Sequence, residues 1–325
     1  MPSPTAAMDD VMANLDLETI PDEVMEYARE KIGETDENKT LMISELREMI
    51  YERGDVTAHR MDDAFLLRFY GSFNFLLNKL RKMSVILNYA LLALFQFVNY
   101  FNFREKNSDF YANVNPLNLS FIGDADVLSV LPYREQTGRR IMIYRMGKWN
   151  TKEYDIDEIL KASLAILELG VLEPRAQILG GVVIFDLANL TLQQAWQITP
   201  NVASKVIELM VTSFPIKTFA IHIINESWVF DVVFSVFKPL LGRRYQEMLF
   251  FHGTDMKSLH KHINPKYLPE VYGGIRPEYS YKDWFRNLSR DPAIVKEMSS
   301  LGYTDLDTNE EIEKDIKLRE EAVTA

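Results

Sequence analysis

Residues Gly180–Leu241 read GGVVIFDLANLTLQQAWQITPNVASKVIELMVTSFPIKTFAIHIINESWVFDVVFSVFKPLL, a pattern of strand, helix, strand and helix. VVIFDL (Val182–Leu187) and FAIHII (Phe219–Ile224) are short, nearly continuous apolar runs, as in strands covered on both faces of a parallel sheet. The roughly thirty residues between them carry a helical pattern, long enough for one βαβ crossover. The last helix is expected over Ser227–Gly242. Its polar residues Ser227, Asp231, Ser235 and Lys238 follow one another at spacings of four, four and three, so they form a single narrow stripe. Almost everything else on it is Val, Phe, Leu or Trp. A helix apolar over most of its circumference needs two apolar neighbours. One is its own sheet. The other is a further protein layer, a bound lipid or a membrane surface.

Working outward, RRIMIYRM (Arg139–Met146) reads as a strand. Tyr154–Val171 is a helix that keeps Ile156, Ile159, Leu160, Leu164, Ile166 and Leu167 mostly at helical spacing. EMLFFHG (Glu247–Gly253) is another strand, followed by a short helix at LPEVYGG (Leu268–Gly274) and an irregular end. Helix alternating with strand predicts an α/β fold with a mostly parallel sheet and right-handed crossovers. Ahead of it, Pro21–Tyr51 holds two amphipathic helical segments, the second stopped by Gly54, and DDAFLLRFY (Asp62–Tyr70) opens a further helix. The expected organisation is a disordered lead (1–20), an all-helical N-terminal domain (21–115), an α/β domain (116–275) entered through the Asn115-Pro116 loop, and a C-terminal extension with an acidic tail (276–325).

One stretch departs from this regularity. Met83–Phe103, MSVILNYALLALFQFVNYFNF, has twenty-one residues without a charge, flanked by Lys79, Arg81, Lys82 and Arg104. Its length passes the threshold for a transmembrane helix. Asn88, Gln96, Asn99 and Asn102 argue instead for a buried helix of a bundle, with an interfacial segment as the further alternative.

The composition, 47% hydrophobic and 26% charged over 325 residues, is that of a folded globular protein with a sizeable core. There are no cysteines, which excludes disulfides, thiolate metal sites and cysteine nucleophiles and fits a reducing compartment. The first forty residues are acidic and lack an apolar core segment, so no secretory signal is expected. Residues 1–38 hold eleven acids and two bases and residues 305–325 eight acids and three bases; the total of −11 therefore leaves residues 39–304 at +3. A mildly basic body does not repel an anionic membrane, and it is too weakly charged for a nucleic-acid footprint.

Signs of catalysis are sparse. Asp186 ends a strand, where open α/β sheets place functional groups, but a solitary carboxylate there more often caps the next loop. His222 lies mid-strand, as a hydrogen-bonded core histidine would. His252, His260 and His262 lack a further ligand at diagnostic metal spacing, so no metal is expected. Gly180-Gly181 and Gly273-Gly274 are turn glycines outside any phosphate-binding pattern, and no GxSxG elbow occurs. Lys238, Arg243 and Arg244 cluster after the apolar helix, and Lys217 begins a strand. They either balance a helix C-terminus or form a patch for an anionic headgroup.

An ordered series of motifs then brings the chain close to a known family: DDAFLLRF, GRRIMIYRMGKW, GGVVIFDL, WQITP at Trp196–Pro200, SFPIK at Ser213–Lys217, IHIINES, FSVFKPLL, FFHG at Phe250–Gly253 and LPEVYGG. Over roughly Pro21–Gly274 the chain resembles the CRAL-TRIO lipid-transfer proteins, particularly insect members of the branches that carry tocopherols and retinoids. The resemblance implies a non-enzymatic, monomeric, cytoplasmic carrier that needs no cofactor. It would hold a tocopherol-, retinoid- or isoprenoid-like ligand in a closed pocket and dock transiently on membranes. The helix at Ser227–Gly242 corresponds to that family's mobile gate, with Phe230, Val233 and Val236 as gate positions. The pocket positions implied are Tyr144, Leu160, Ser163, Leu164, Leu167, Phe185, Leu190, Ile198, Val206, Leu209, Met210, Ile216, Thr218 and Ile221. Lys217 and Arg244, with Lys238 and Arg243 nearby, match a phosphoinositide-binding set. The chain departs from the family pattern at Tyr70-Gly71-Ser72-Phe73, where relatives carry an Arg-Ala-Arg-type segment, and at Phe219 and Met248, where the tocopherol branch has Arg. It is also about a dozen residues longer between Phe69 and Arg104, more than ordinary loop variation.

Overall fold

The computed structural model describes residues 15, 20–32, 36–58, 60–70, 85–112, 114–278 and 291–303. The expected disordered lead lies almost wholly outside them, as do the acidic tail and the Gly71–Phe73 departure.

The N-terminal helices are α1 (Asp22–Tyr27), which runs on as a π-helical turn to Ile32, α2 (Asp36–Arg53), α3 (Asp63–Leu67) and α4 (Val85–Lys106). Gly54 stops α2 with φ +63°, and the Asp62 carboxylate caps α3 by accepting from the Phe65 amide at 3.0 Å. From Val85 onward the uncharged run is therefore a helix of this bundle, and no helix among the described residues is long and apolar enough to cross a membrane. Its polar residues explain why. Gln96 donates its side-chain amide to the Phe214 carbonyl and Asn99 donates to Thr212 O at 3.3 Å. Tyr100 and Arg104 donate to Glu168 at 2.8 and 3.1 Å, a buried set that lipid could not satisfy. Phe65, Phe69, Phe97, Tyr100 and Phe101 pack edge-on or tilted around one another.

The chain continues through α5 (Ser120–Asp124), β1 (Leu128–Arg134), β2 (Arg140–Arg145), α6 (Ile156–Gly170), α7 (Pro174–Leu179), β3 (Gly181–Asp186) and α8 (Leu192–Gln197). Then come α9 (Pro200–Ile207) with a π-helical turn over Glu208–Ser213, β4 (Thr218–Ile224), α10 (Trp228–Phe237), α11 (Arg243–Gln246), β5 (Leu249–Phe251), α12 (Met256–His260) and α13 (Pro292–Ser300). The sheet order is β1-β2-β3-β4-β5, with β1 antiparallel to β2 and the rest parallel. Each parallel step moves one strand in the same direction, so right-handed crossovers put their helices on one face. That face presents Met142, Tyr144 and Val183 to Leu160 and Leu164 of α6. The opposite face presents Ile141, Ile143, Val182, Ile184 and Ile224, and Leu259, Ile263, Leu268 and Tyr272 cover it.

Three expectations are corrected. The sheet has an additional edge strand, β1, before Arg139; Pro132 lies inside it, which an edge strand tolerates, and the register shifts between Val130 and Arg134. The end after Gly274 is not wholly irregular, because α13 starts with Asp291 accepting from Ala293 N and with Pro292 in its first turn. It docks on the N-terminal helices: Glu297 pairs with Arg60 and Arg68 at 2.5 and 2.8 Å, and Arg104 donates to the Leu301 carbonyl. The gate helix is also shorter than expected and ends at Phe237, one residue before Lys238-Pro239.

Candidate functional site

Strand alternation and register put Tyr144, Phe185 and Ile223 side by side on the helix-covered face of the sheet. The rings of Tyr144 and Phe185 stack at 4.9 Å. Tyr144 donates its hydroxyl to Ser163 Oγ at 2.8 Å, and Ser163 donates to the Ile159 carbonyl at 2.7 Å. Tyr144 and Ser163 are both buried, and burial pushes the Tyr144 phenol well above its ordinary pKa. Leu160, Leu164 and Leu209 are buried in the same core as Tyr144, and Leu167, Phe185, Ile198, Val206, Met210, Ile216 and Ile221 pack against it partly buried. Most of these positions thus belong to one hydrophobic core, to which the sheet, α6 and α9 contribute. Leu190 stands apart in the turn after β3, and Thr218 at the start of β4; both are half-buried. Met142, Val183 and Ile223 belong to the same sheet face, and period-2 alternation from Tyr144, Phe185 and Ile221 would have found them.

α10 lies across the edge of this core and packs against α8 and α9. Its stripe residues Ser227, Asp231, Ser235 and Lys238 all face solvent. Of its apolar residues only Val229 is buried; Phe230, Val233 and Val236 are half-buried, and Trp228 is 65% exposed. It meets the sheet through Phe230 and Phe234, whose rings lie 6.0 and 5.5 Å from that of Phe251 on the edge strand β5. Phe234 and Phe251 were not among the expected gate residues. Trp196, at the end of the neighbouring α8, is 72% exposed.

The cations converge by topology. Lys217 immediately precedes β4, Arg243 lies in α11 just ahead of β5, and those strands are parallel neighbours, so both occupy the amino-terminal edge of the sheet. Lys238 follows the last residue of α10, which returns toward that edge. Lys217 is half-buried, and Lys238 and Arg243 are exposed. The backbone of Arg244 belongs to α11; its side chain lies outside the described ones. Phe219 is half-exposed beneath the Arg139 guanidinium, 3.5 Å from the ring centre.

Asp186 serves as a cap and anchor. It accepts from Ala188 N at 3.0 Å, Asn225 Nδ2 at 2.8 Å and the Tyr272 hydroxyl at 3.1 Å. His222 is buried and bonded to His252, and His260 is bonded to the Tyr272 carbonyl. Among the described residues no three His, Cys, Asp or Glu side chains are grouped to hold a metal ion.

The family model for the CRAL/TRIO domain matches residues 125–274. Clavesin-2 of Mus musculus is 31% identical over 274 residues, covering 82% of this chain and 78% of that protein. Clavesin-1 of Pongo abelii is 31% identical over 287 residues, covering 87% and 75%. Among solved structures, the crystal structure of Sfh5 aligns at 13% identity with a TM-score of 0.49, covering 77% of this chain and 92% of that one. With that domain spanning its sheet, and with relatives of 31% identity along 82% or more of its length, the chain belongs to the CRAL/TRIO domain family of lipid-binding proteins.

Proposed function

We propose that this protein is a non-enzymatic, cytoplasmic carrier that encloses one hydrophobic small molecule, isoprenoid-like in size and polarity, between the sheet and α6, α9 and α10. It would hand that molecule between membranes as α10 opens. The observation that carries the reading is α10 itself: a helix almost wholly apolar outside one polar stripe, yet with one buried side chain. A helix so apolar does not rest half-exposed unless its free faces meet something apolar. A ligand on the inner face and lipid on the outer face supply both partners, and Trp196 and Trp228 stand where interfacial aromatics would anchor. At about 25 cal/mol per Å2, enclosing several hundred Å2 of ligand gives roughly 10 kcal/mol before the costs of ordering, enough for retention in solution.

The polar end of the ligand would meet Tyr144 and Ser163. Their two hydroxyl hydrogens are both spent, on Ser163 Oγ and the Ile159 carbonyl, so the pair offers lone pairs rather than donors. That favours a hydroxyl-bearing head group. The test is mass spectrometry of an organic extract of folded, natively expressed protein, followed by transfer of the extracted compound between vesicles. One dominant stoichiometric compound, exchanged faster in the presence of acceptor vesicles, supports the carrier. No acceleration with any vesicle composition ends the transfer reading.

The gathering of Lys217, Lys238 and α11 at one sheet edge favours a second reading, a phosphoinositide-sensing membrane adaptor without cargo transfer. It requires recruitment to phosphoinositide vesicles by ligand-stripped protein and its loss in Lys217→Ala/Arg244→Ala. Recruitment unchanged by that double substitution removes the adaptor reading.

A further inference from the structure

Three imidazoles meet behind the hinge of α10. His222 of β4 and His252, just past β5, are buried, with His222 Nδ1 2.9 Å from His252 Nε2. His252 Nδ1 lies 2.9 Å from Ser258 Oγ on α12. The two rings stack at 5.2 Å, and His262 completes the triangle at 5.2 Å from His222 and 5.6 Å from His252. Phe250 packs over the group, 5.2 Å from His222 and 4.5 Å from His262.

The residue next to His252 holds the hinge. Asn225 N donates to the Gly253 carbonyl at 2.7 Å, and Gly253 N donates to Glu226 Oε1 at 2.8 Å, two residues before α10 begins. Glu226 Oε2 is buried and has no hydrogen-bond partner among the described residues.

A neutral imidazole has one donor and one acceptor nitrogen, so the chain His222–His252–Ser258 closes with neutral rings in either direction. One proton can be held at His252, with His222 still accepting. Two protons set N–H against N–H across 2.9 Å. Burial, then His252 and His262, push His222 down to about 3, and burial followed by His262 pushes His252 down. The acids acting on His252 in the other direction are Glu226 and Asp255; Lys257 and Lys261 are exposed.

We propose that the buried pair His222 and His252, with the exposed His262 beside it, forms a proton-sensitive latch, which keeps β5 and the hinge of α10 closed at neutral pH and lets them open in acid. The latch goes beyond the carrier reading and rests on it only in taking α10 as the element that moves. The sign follows from linkage. A closed state that depresses a histidine binds fewer protons than the open one, so closure is fully supported above about 6.5 and weakens as pH falls toward the depressed value. A histidine held at about 3 and released to its ordinary value makes opening about tenfold more frequent at pH 5.5 than at pH 7.5.

The test is hydrogen exchange by mass spectrometry on the full chain at pH 7.5 and 5.5, corrected for the intrinsic rates, with His222→Phe and His222→Gln alongside. Peptides over 222–237 and 248–254 should open about tenfold more often at pH 5.5, while residues 141–145 of β2 stay unchanged. Either variant should cut the gain below about threefold, because the tenfold figure belongs to the buried His222 ring; His222→Gln decides the matter if His222→Phe does not fold. Opening that is independent of pH, or a tenfold gain kept in the variants, overturns the latch. The measurement needs no cargo, so an empty lipid extract would end the carrier reading and leave this result standing.

Discussion

The Asp186 carboxylate accepts a hydrogen bond from the Asn225 side-chain amide at 2.8 Å, joining the carboxyl end of β3 to the residue from which the chain turns into α10. Asn225 sits in the left-handed region at φ +55°, which Asn tolerates better than most residues. The direction in which α10 leaves the sheet therefore depends on a carboxylate that also holds Ala188 N and Tyr272. A strand-end acid in an α/β sheet invites a catalytic interpretation, but its hydrogen bonds among the described residues cap a loop and anchor the hinge.

Replacing Asp186 with Ala strands the Asn225 amide and the Tyr272 hydroxyl. The expected cost is about 1–3 kcal/mol, with faster exchange over residues 225–237. Urea denaturation and hydrogen exchange measure the two effects. Stability and exchange both equal to wild type would show that the hinge is held elsewhere.

Tyr144→Phe removes one hydrogen bond but leaves Ser163 bonded to Ile159 O, so its stability cost should be modest, about 0.5–1.5 kcal/mol. Under the carrier proposal the larger effect is on recognition. Wild-type protein should bind retinol about tenfold more tightly than retinal, and Tyr144→Phe should erase the difference. Fluorescence titration with both probes checks it. Equal affinities in the wild type would remove the lone-pair argument.

The parallel strands and the two-sided character of α10 were legible because buried strands and amphipathic stripes are local patterns. So was Gly180: φ is +75° there, and an added Cβ would lie 2.1 Å from Lys217 O. Much of the rest depends on long-range pairing. β1 was hidden because Pro132 interrupts VLSVLPYR, and only its position at the sheet edge makes Pro acceptable. α13 could have been read from Asp291-Pro292 and from Ile294, Val295 and Met298 at helical spacing. The uncharged run could not be resolved by hydropathy alone, because the partners of Gln96 and Arg104 come from residues 214, 168 and 301. The contact of Phe230 and Phe234 with Phe251 required the helix to be placed over a particular edge strand.

Arg104 and Glu168 are both buried, in contact at 3.1 Å. Burial raises the Glu168 carboxyl even against the opposing pull of Arg104. Arg104→Met leaves that carboxylate uncompensated and should cost about 3–5 kcal/mol at neutral pH. A raised carboxyl pKa means the native state binds more protons than the unfolded one, so its penalty shrinks as pH falls. The Tm gap between variant and wild type should therefore narrow from pH 7.5 to pH 5. A gap that stays constant would mean that Glu168 is not the group left exposed to the cost.

Trp196 and Trp228 are 72% and 65% exposed, so replacing either with Ser should change folding stability by no more than about 0.5 kcal/mol. Their proposed work is at the bilayer. Inserting an aromatic ring into the interface is worth about 1.5 kcal/mol or more, so each substitution should weaken binding to phosphatidylcholine vesicles about tenfold. With phosphatidylserine added, wild type and both variants should all bind more tightly at low salt, because Lys238 and Arg243 are untouched and exposed. Cosedimentation across the salt series separates the two contributions. A tryptophan loss that appears only with anionic lipid would assign the aromatics to headgroup contact. Binding unchanged in both variants would place the membrane face elsewhere on the molecule, and α10 would then need a protein partner to explain its exposed apolar side.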